Sequence, residues 1–95
     1  MFVAIWRFTT ARPDEFERHY GTDGTWAQLF RRDAAYIRTD LLRDDASYVT
    51  LDWWASREAY DGFRERHAAD YAALDRACEA VTVEEEKLGE FETAG

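Results

Sequence analysis

A single cysteine, Cys78, stands among the 95 residues, so no disulfide can close within the chain. That points to a reducing, cytoplasmic setting. The opening segment Met1-Phe2-Val3-Ala4-Ile5-Trp6-Arg7 has no basic start, no long apolar run and no small-residue cleavage site, so it does not read as a secretory signal. No apolar run approaches the length of a membrane span. Positive charge is scarce: 12 basic residues stand against 20 acidic ones, for a formal net charge of −8. Such a surface repels phosphate backbones and anionic lipids, which argues against nucleic acid and membrane as partners. A glycine-rich phosphate loop, a dinucleotide fingerprint and a nucleophile elbow are all missing. With two histidines and no paired cysteines, no metal-ligand spacing exists, and no metal is expected.

Aromatic residues are present in quantity, at 16% of the chain, within a hydrophobic share of 46%. The length fits one domain over residues 1–95. A core this small leaves strands with apolar residues on both faces, so a second copy covering one side, a homodimer, is expected.

Phe2 to Phe8 reads as a strand. Pro13 opens a helix whose first turn holds Asp14 and Glu15 and whose Phe16 and Tyr20 share a face. Gly21 and Gly24 interrupt it, and a second helical piece starts at Thr25 with Trp26, Leu29 and Phe30. Ala35–Arg43 and Ser47–Trp54 form a hairpin around Asp44-Asp45-Ala46. Pairing Arg43 with Ser47 sets Arg38 opposite Asp52 as an ion pair and puts Tyr36, Arg38, Asp40, Tyr48, Thr50, Asp52 and Trp54 on one face. Ser56 caps a long helix with Tyr60, Phe63, His67, Tyr71, Leu74 and Cys78 on one stripe. Val81 to Phe91 is the last strand. The order β-α-β-β-α-β is the split βαβ arrangement of the ferredoxin-like α+β class: a four-stranded antiparallel sheet with its helices on one face.

Two stretches carry a family resemblance: Tyr20-Gly21-Thr22-Asp23-Gly24-Thr25-Trp26-Ala27-Gln28-Leu29-Phe30, and Tyr48-Val49-Thr50-Leu51-Asp52-Trp53-Trp54-Ala55-Ser56 running into Ala59-Tyr60. Together with the element order they resemble the antibiotic-biosynthesis-monooxygenase-like family of the dimeric α+β-barrel superfamily. The resemblance implies a homodimer and, in its characterised monooxygenases, oxidation of phenolic polycyclic compounds to quinones without metal, flavin or haem. No cofactor and a small aromatic partner are therefore the expectation. Trp54 and Tyr60 match the family's pocket tryptophan and tyrosine. Thr50 stands where the family has an asparagine, and Leu74 lies near the place of its helix arginine. A threonine offers one hydroxyl where an asparagine offers both a donor and an acceptor.

The resulting candidates are Thr50, Trp54, Tyr60 and His67 for chemistry, with Arg38, Asp52, Tyr36 and Phe63 as substrate contacts. His67 or Asp52 would act as base, and Arg38 would supply the missing positive charge from the sheet. The same residues admit structural roles: packing for Trp54, a hydrogen-bonded buried position for His67, and a plain cross-strand pair for Arg38 and Asp52. Two alternatives stand beside the monooxygenase. One is a non-catalytic dimer that binds a small ligand or serves as an accessory subunit. The other is a haem-binding or haem-degrading protein, with His67 as iron ligand and Trp54 near it; the strand-one asparagine of such relatives has no counterpart in Ile5-Trp6-Arg7.

Overall fold

A computed structural model describes all 95 residues. Eight elements follow in order: β1 (Phe2–Thr9), α1 (Pro13–Tyr20), α2 (Thr25–Phe30), β2 (Tyr36–Arg43), β3 (Tyr48–Trp54), α3 (Arg57–Arg66), α4 (Ala68–Cys78) and β4 (Glu84–Glu92). The strands form one antiparallel sheet in the order β2-β3-β1-β4. The helices cover one face of it, which is the ferredoxin-like α+β architecture.

Helix α1 starts where proline costs nothing, since its missing N–H would be unpaired there in any case. Phe16 and Tyr20 stack with ring centroids 4.3 Å apart. Gly24 must be glycine because a Cβ there would sit 2.6 Å from the His19 carbonyl oxygen. That close approach lets α2 fold back and lay Trp26, Leu29 and Phe30 into the core. Helix α3 begins at Ser56, whose side chain accepts from the Ala59 N–H at 3.1 Å.

Three details depart from expectation. The single long helix is two, broken at His67, whose φ of −113° and ψ of 27° are not helical. The bend lets Tyr60 and Phe63 pack on Trp54 while Tyr71 meets Trp26 edge-on at 4.9 Å. The last strand begins at Glu84 instead of Val81. Val81 is buried in the preceding loop, where its carbonyl accepts from the Thr10 hydroxyl at 2.5 Å. The hairpin register differs by one residue: Arg43 pairs with Tyr48, Leu41 with Thr50, Thr39 with Asp52 and Arg38 with Trp53.

The turn explains the register. Asp44 Oδ1 accepts from the N–H groups of Ala46 and Ser47 and from the Ser47 hydroxyl, and the Asp44 N–H bonds the Ser47 carbonyl. Ser47 is thereby drawn into the turn, and the first cross-strand pair moves to Tyr48. An irregularity between Tyr36 and Arg38 returns Tyr36 to the helix-covered face opposite Trp54. Thr39 and Leu41 therefore point inward with Thr50, Asp52 and Trp54, and Arg38 and Asp40 point outward.

The core is a chain of touching rings. Phe2, Phe8, Phe16, Tyr20, Trp26, Phe30, Tyr48, Trp54, Tyr60 and Phe63 are all buried, closed by Ala4, Leu29, Cys78 and Val81. Aromatic side chains bury much area with few rotatable bonds, which suits so short a chain. The other face of the sheet carries Val3, Ile5, Val49, Leu51 and Trp53 at its centre, with Leu42 and Phe91 left 57% and 53% exposed.

Candidate active site

A cavity of about 40 Å³ lies between the sheet and the helices. Its floor comes from the inward residues of three strands: Trp6 and Phe8 of β1, Thr39 of β2, and Thr50 and Asp52 of β3. Trp6 pairs with Thr50, so the indole and the hydroxyl lie side by side. The roof is Tyr20 of α1, Trp26 and Phe30 of α2, and Tyr71 of α4. Asp75 of α4 and Glu85 of β4, both exposed, form the rim.

Asp52 is the one carboxylate on the cavity floor. Its carboxylate Oδ1 accepts from the Thr39 hydroxyl at 2.7 Å. Thr39 has only one hydroxyl hydrogen, so the 2.7 Å contact between its oxygen and the Tyr36 hydroxyl has Tyr36 as donor when Asp52 is ionised. The relay thus runs from Tyr36 through Thr39 to Asp52, and Thr39 itself is 3% exposed. Burial pushes the Asp52 carboxyl up to about 6, and the Thr39 hydrogen bond holds it back from going further. A carboxylate poised there alternates between acid and base near neutral pH.

The surrounding groups are neutral or acidic. Burial raises the Tyr20 and Tyr71 hydroxyls above the ordinary phenol range, so both stay protonated as donors. Glu85 is raised by partial burial and then by Asp75 beside it. Thr50 is 3% exposed, and its hydroxyl has no hydrogen-bond partner in the protein. The Trp26 indole N–H is likewise buried and unpartnered.

The candidates read from the sequence separate into three groups. Thr50 and Asp52 line the cavity, and Tyr36 reaches it through Thr39. Trp54, Tyr60 and Phe63 are buried one layer behind; Trp54 contacts Tyr36, Phe30, Tyr60 and Phe63 with ring centroids 5.1 to 5.6 Å apart, and its N–H is unpartnered. His67 and Arg38 stand outside. His67 is half-buried at the α3–α4 bend, its ring 4.8 Å from that of Phe63. Arg38, expected on the cavity floor opposite Asp52, is on the outer sheet face. There it pairs with Asp40 at 3.2 Å and lies over the Trp53 ring at 5.3 Å. The correction follows from the register: with Thr39 opposite Asp52, its neighbour Arg38 must point the other way.

Thr39, Trp6, Phe8, Tyr20, Trp26, Phe30 and Tyr71 were not identified as cavity walls from the sequence. For Trp6 and Phe8 the signal was alternation along β1. For Thr39 it was the capacity of Asp44 to recruit Ser47 into the turn.

Solved structures resemble this chain over nearly its whole length. An asparagine-to-alanine mutant of SnoaB, described as a cofactor-independent oxygenase from Streptomyces nogalater, superposes with a TM-score of 0.80 at 26% identity, covering 99% of this chain and 93% of that one. A second SnoaB structure gives 0.76 at 25% identity over the same shares of the two chains. A putative antibiotic biosynthesis monooxygenase from Nitrosomonas europaea gives 0.61 at 15% identity, covering 98% of both chains, a likeness of fold alone. No family model matches the sequence, and no curated protein does.

Proposed function

We propose, from its fold and its likeness to SnoaB, that this chain is an antibiotic-biosynthesis-monooxygenase-like protein and a cofactor-independent monooxygenase of phenolic aromatic compounds. The observation that carries the reading is Asp52: a carboxylate near pKa 6, held by the Tyr36–Thr39 relay, in a cavity otherwise walled largely by aromatic rings. Rings offer flat contact to a planar substrate, and the carboxylate offers it a base.

For an anthrone-like substrate the step is as follows. Asp52 takes a proton and leaves an electron-rich anion. The anion reduces dioxygen and forms a carbon–oxygen bond to it. Asp52 returns its proton to the peroxide; the O–O bond then breaks as the remaining hydrogen on that carbon leaves. One dioxygen is consumed, and one quinone and one water result. Thr50, with its hydroxyl free, donates to the oxyanion or the peroxide. Trp54, Tyr60 and Phe63 hold the back of the wall. A polycyclic substrate needs more room than about 40 Å³, so it enters as the half-buried rings of Trp6 and Tyr71 swing outward.

The functional unit is proposed to be a homodimer joined through the outer, apolar sheet face. The test of the activity is oxygen uptake with a panel of anthrones and hydroquinones and no added cofactor. Turnover is expected, falling by roughly 100-fold or more in Asp52→Asn and about 10-fold in Thr50→Val. Loss in His67→Ala with Asp52→Asn still active would move the base to His67. Binding of the panel without any oxygen uptake would leave a non-catalytic ligand-binding dimer, the reading favoured by threonine and leucine at the family's asparagine and arginine positions.

A further inference from the structure

Three carboxylates line the cavity, and no lysine, arginine or histidine does. Asp52 lies on the floor, and Asp75 and Glu85 form the rim. None of the three has a cationic partner within 4.0 Å; every ion pair of the chain is made by other residues. Two cations stand outside the lining against its rings: Lys87, paired with Glu90, lies 5.6 Å from the Trp6 ring centroid, and Arg64 lies over the Tyr71 ring at 4.7 Å. Independently of the acids, Thr50 is almost wholly buried yet offers the cavity a hydroxyl that nothing in the protein engages. The site thus offers a free hydroxyl deep inside and two carboxylates without a cationic partner at its mouth, with aromatic walls between.

We propose that the cavity takes a phenolic aromatic carrying a protonated amine, with the phenol directed at Thr50 and Asp52 and the ammonium seated between Asp75 and Glu85. This names the substrate class of the monooxygenase reading and rests on it. A carboxylated aromatic is disfavoured by the same charges, since the lining offers it three acids and no base. The rim is exposed to solvent, so its effect is a preference that weakens as salt rises.

Trp6 and Trp26 line the cavity, so ligand entry is read by quenching of tryptophan fluorescence. Three probes of one skeleton suffice: a naphthol, its aminomethyl derivative and its carboxylic acid, titrated at low ionic strength near neutral pH. The aminomethyl naphthol is expected to bind about 10-fold more tightly than the parent, and the acid about 10-fold more weakly. The double variant Asp75→Asn, Glu85→Gln should bring the three affinities together. Both side chains are exposed and make no hydrogen bond, so the variant keeps its fold, as circular dichroism will show. Equal affinities for the three probes, tightest binding of the acid, or a preference that survives the double substitution would each overturn the proposal. Amine preference without oxygen uptake would remove the monooxygenase reading alone, and turnover of phenols without amine preference would remove this inference alone.

Discussion

Asp52 links activity to stability in opposite directions. As base it works only when ionised, so kcat/KM should rise with pH through a midpoint near 6. Thr39 stabilises the ionised form by donating to it, so Thr39→Val should move that midpoint upward; a midpoint that stays or falls would separate the profile from Asp52. Stability runs the other way. The folded-state value near 6 lies above the ordinary 3.8, so between them the native protein holds a proton that the unfolded chain has released. Stability is then full below about 3.8 and declines as pH rises through about 6. Above that, the buried charge costs on the order of 3 kcal/mol. Asp52→Asn keeps an oxygen for Thr39 and carries no charge. It should therefore unfold at higher urea than the parent at alkaline pH and at the same urea at strongly acid pH; a variant less stable than the parent in the alkaline titration contradicts the assignment.

Elements were legible in the sequence where one local interaction decides them. Pro13 with an acidic first turn located α1, and Ser56 located the start of α3. Ser56→Ala should lower stability by about 1 kcal/mol, read as a drop in Tm, because the Ala59 N–H loses its acceptor. Legibility failed where two weak preferences competed. An ion pair between Arg38 and Asp52 looked like the better ladder, but exposed cross-strand charges contribute little. The hydrogen bonds that Asp44 gathers within the turn outweigh it and shift β2 by one residue. That shift exchanges Arg38 for Thr39 on the cavity floor, while Thr50 and Asp52, on the partner strand, stayed. The break at His67 was hidden for a related reason. Tyr60, Phe63, His67, Tyr71 and Leu74 keep helical spacing on both sides of it, and only the placement of Trp54 and Trp26 on different parts of the core makes a bend favourable.

At the scale of the whole molecule the distribution of apolar surface matters more than its amount. The chain measures 35 × 32 × 20 Å, a slab one sheet and one helix layer thick. Its helix side is closed by the aromatic core, while the bare side of the sheet presents Leu51 and Trp53 at the centre, with Leu42 and Phe91 exposed around them. Apolar side chains gathered on one face in this way are suited to contact with another protein surface. A face of these dimensions can supply the roughly 800 Å² per partner of a standard interface. A net charge of −8 on each copy opposes association at long range, so the contact must draw on apolar burial, with Arg38 already neutralised by Asp40 on that face. Sedimentation equilibrium should accordingly give twice the 11.1 kDa of one chain. Leu51→Glu places a carboxylate beside Asp40 at the centre of the face, where dimerisation would bury it without a partner. The variant should sediment at the mass of one chain with its helices and strands intact, because in a monomer that position faces water. A parent that is already monomeric, or a variant that remains dimeric, would show that the sheet's outer face is not the contact.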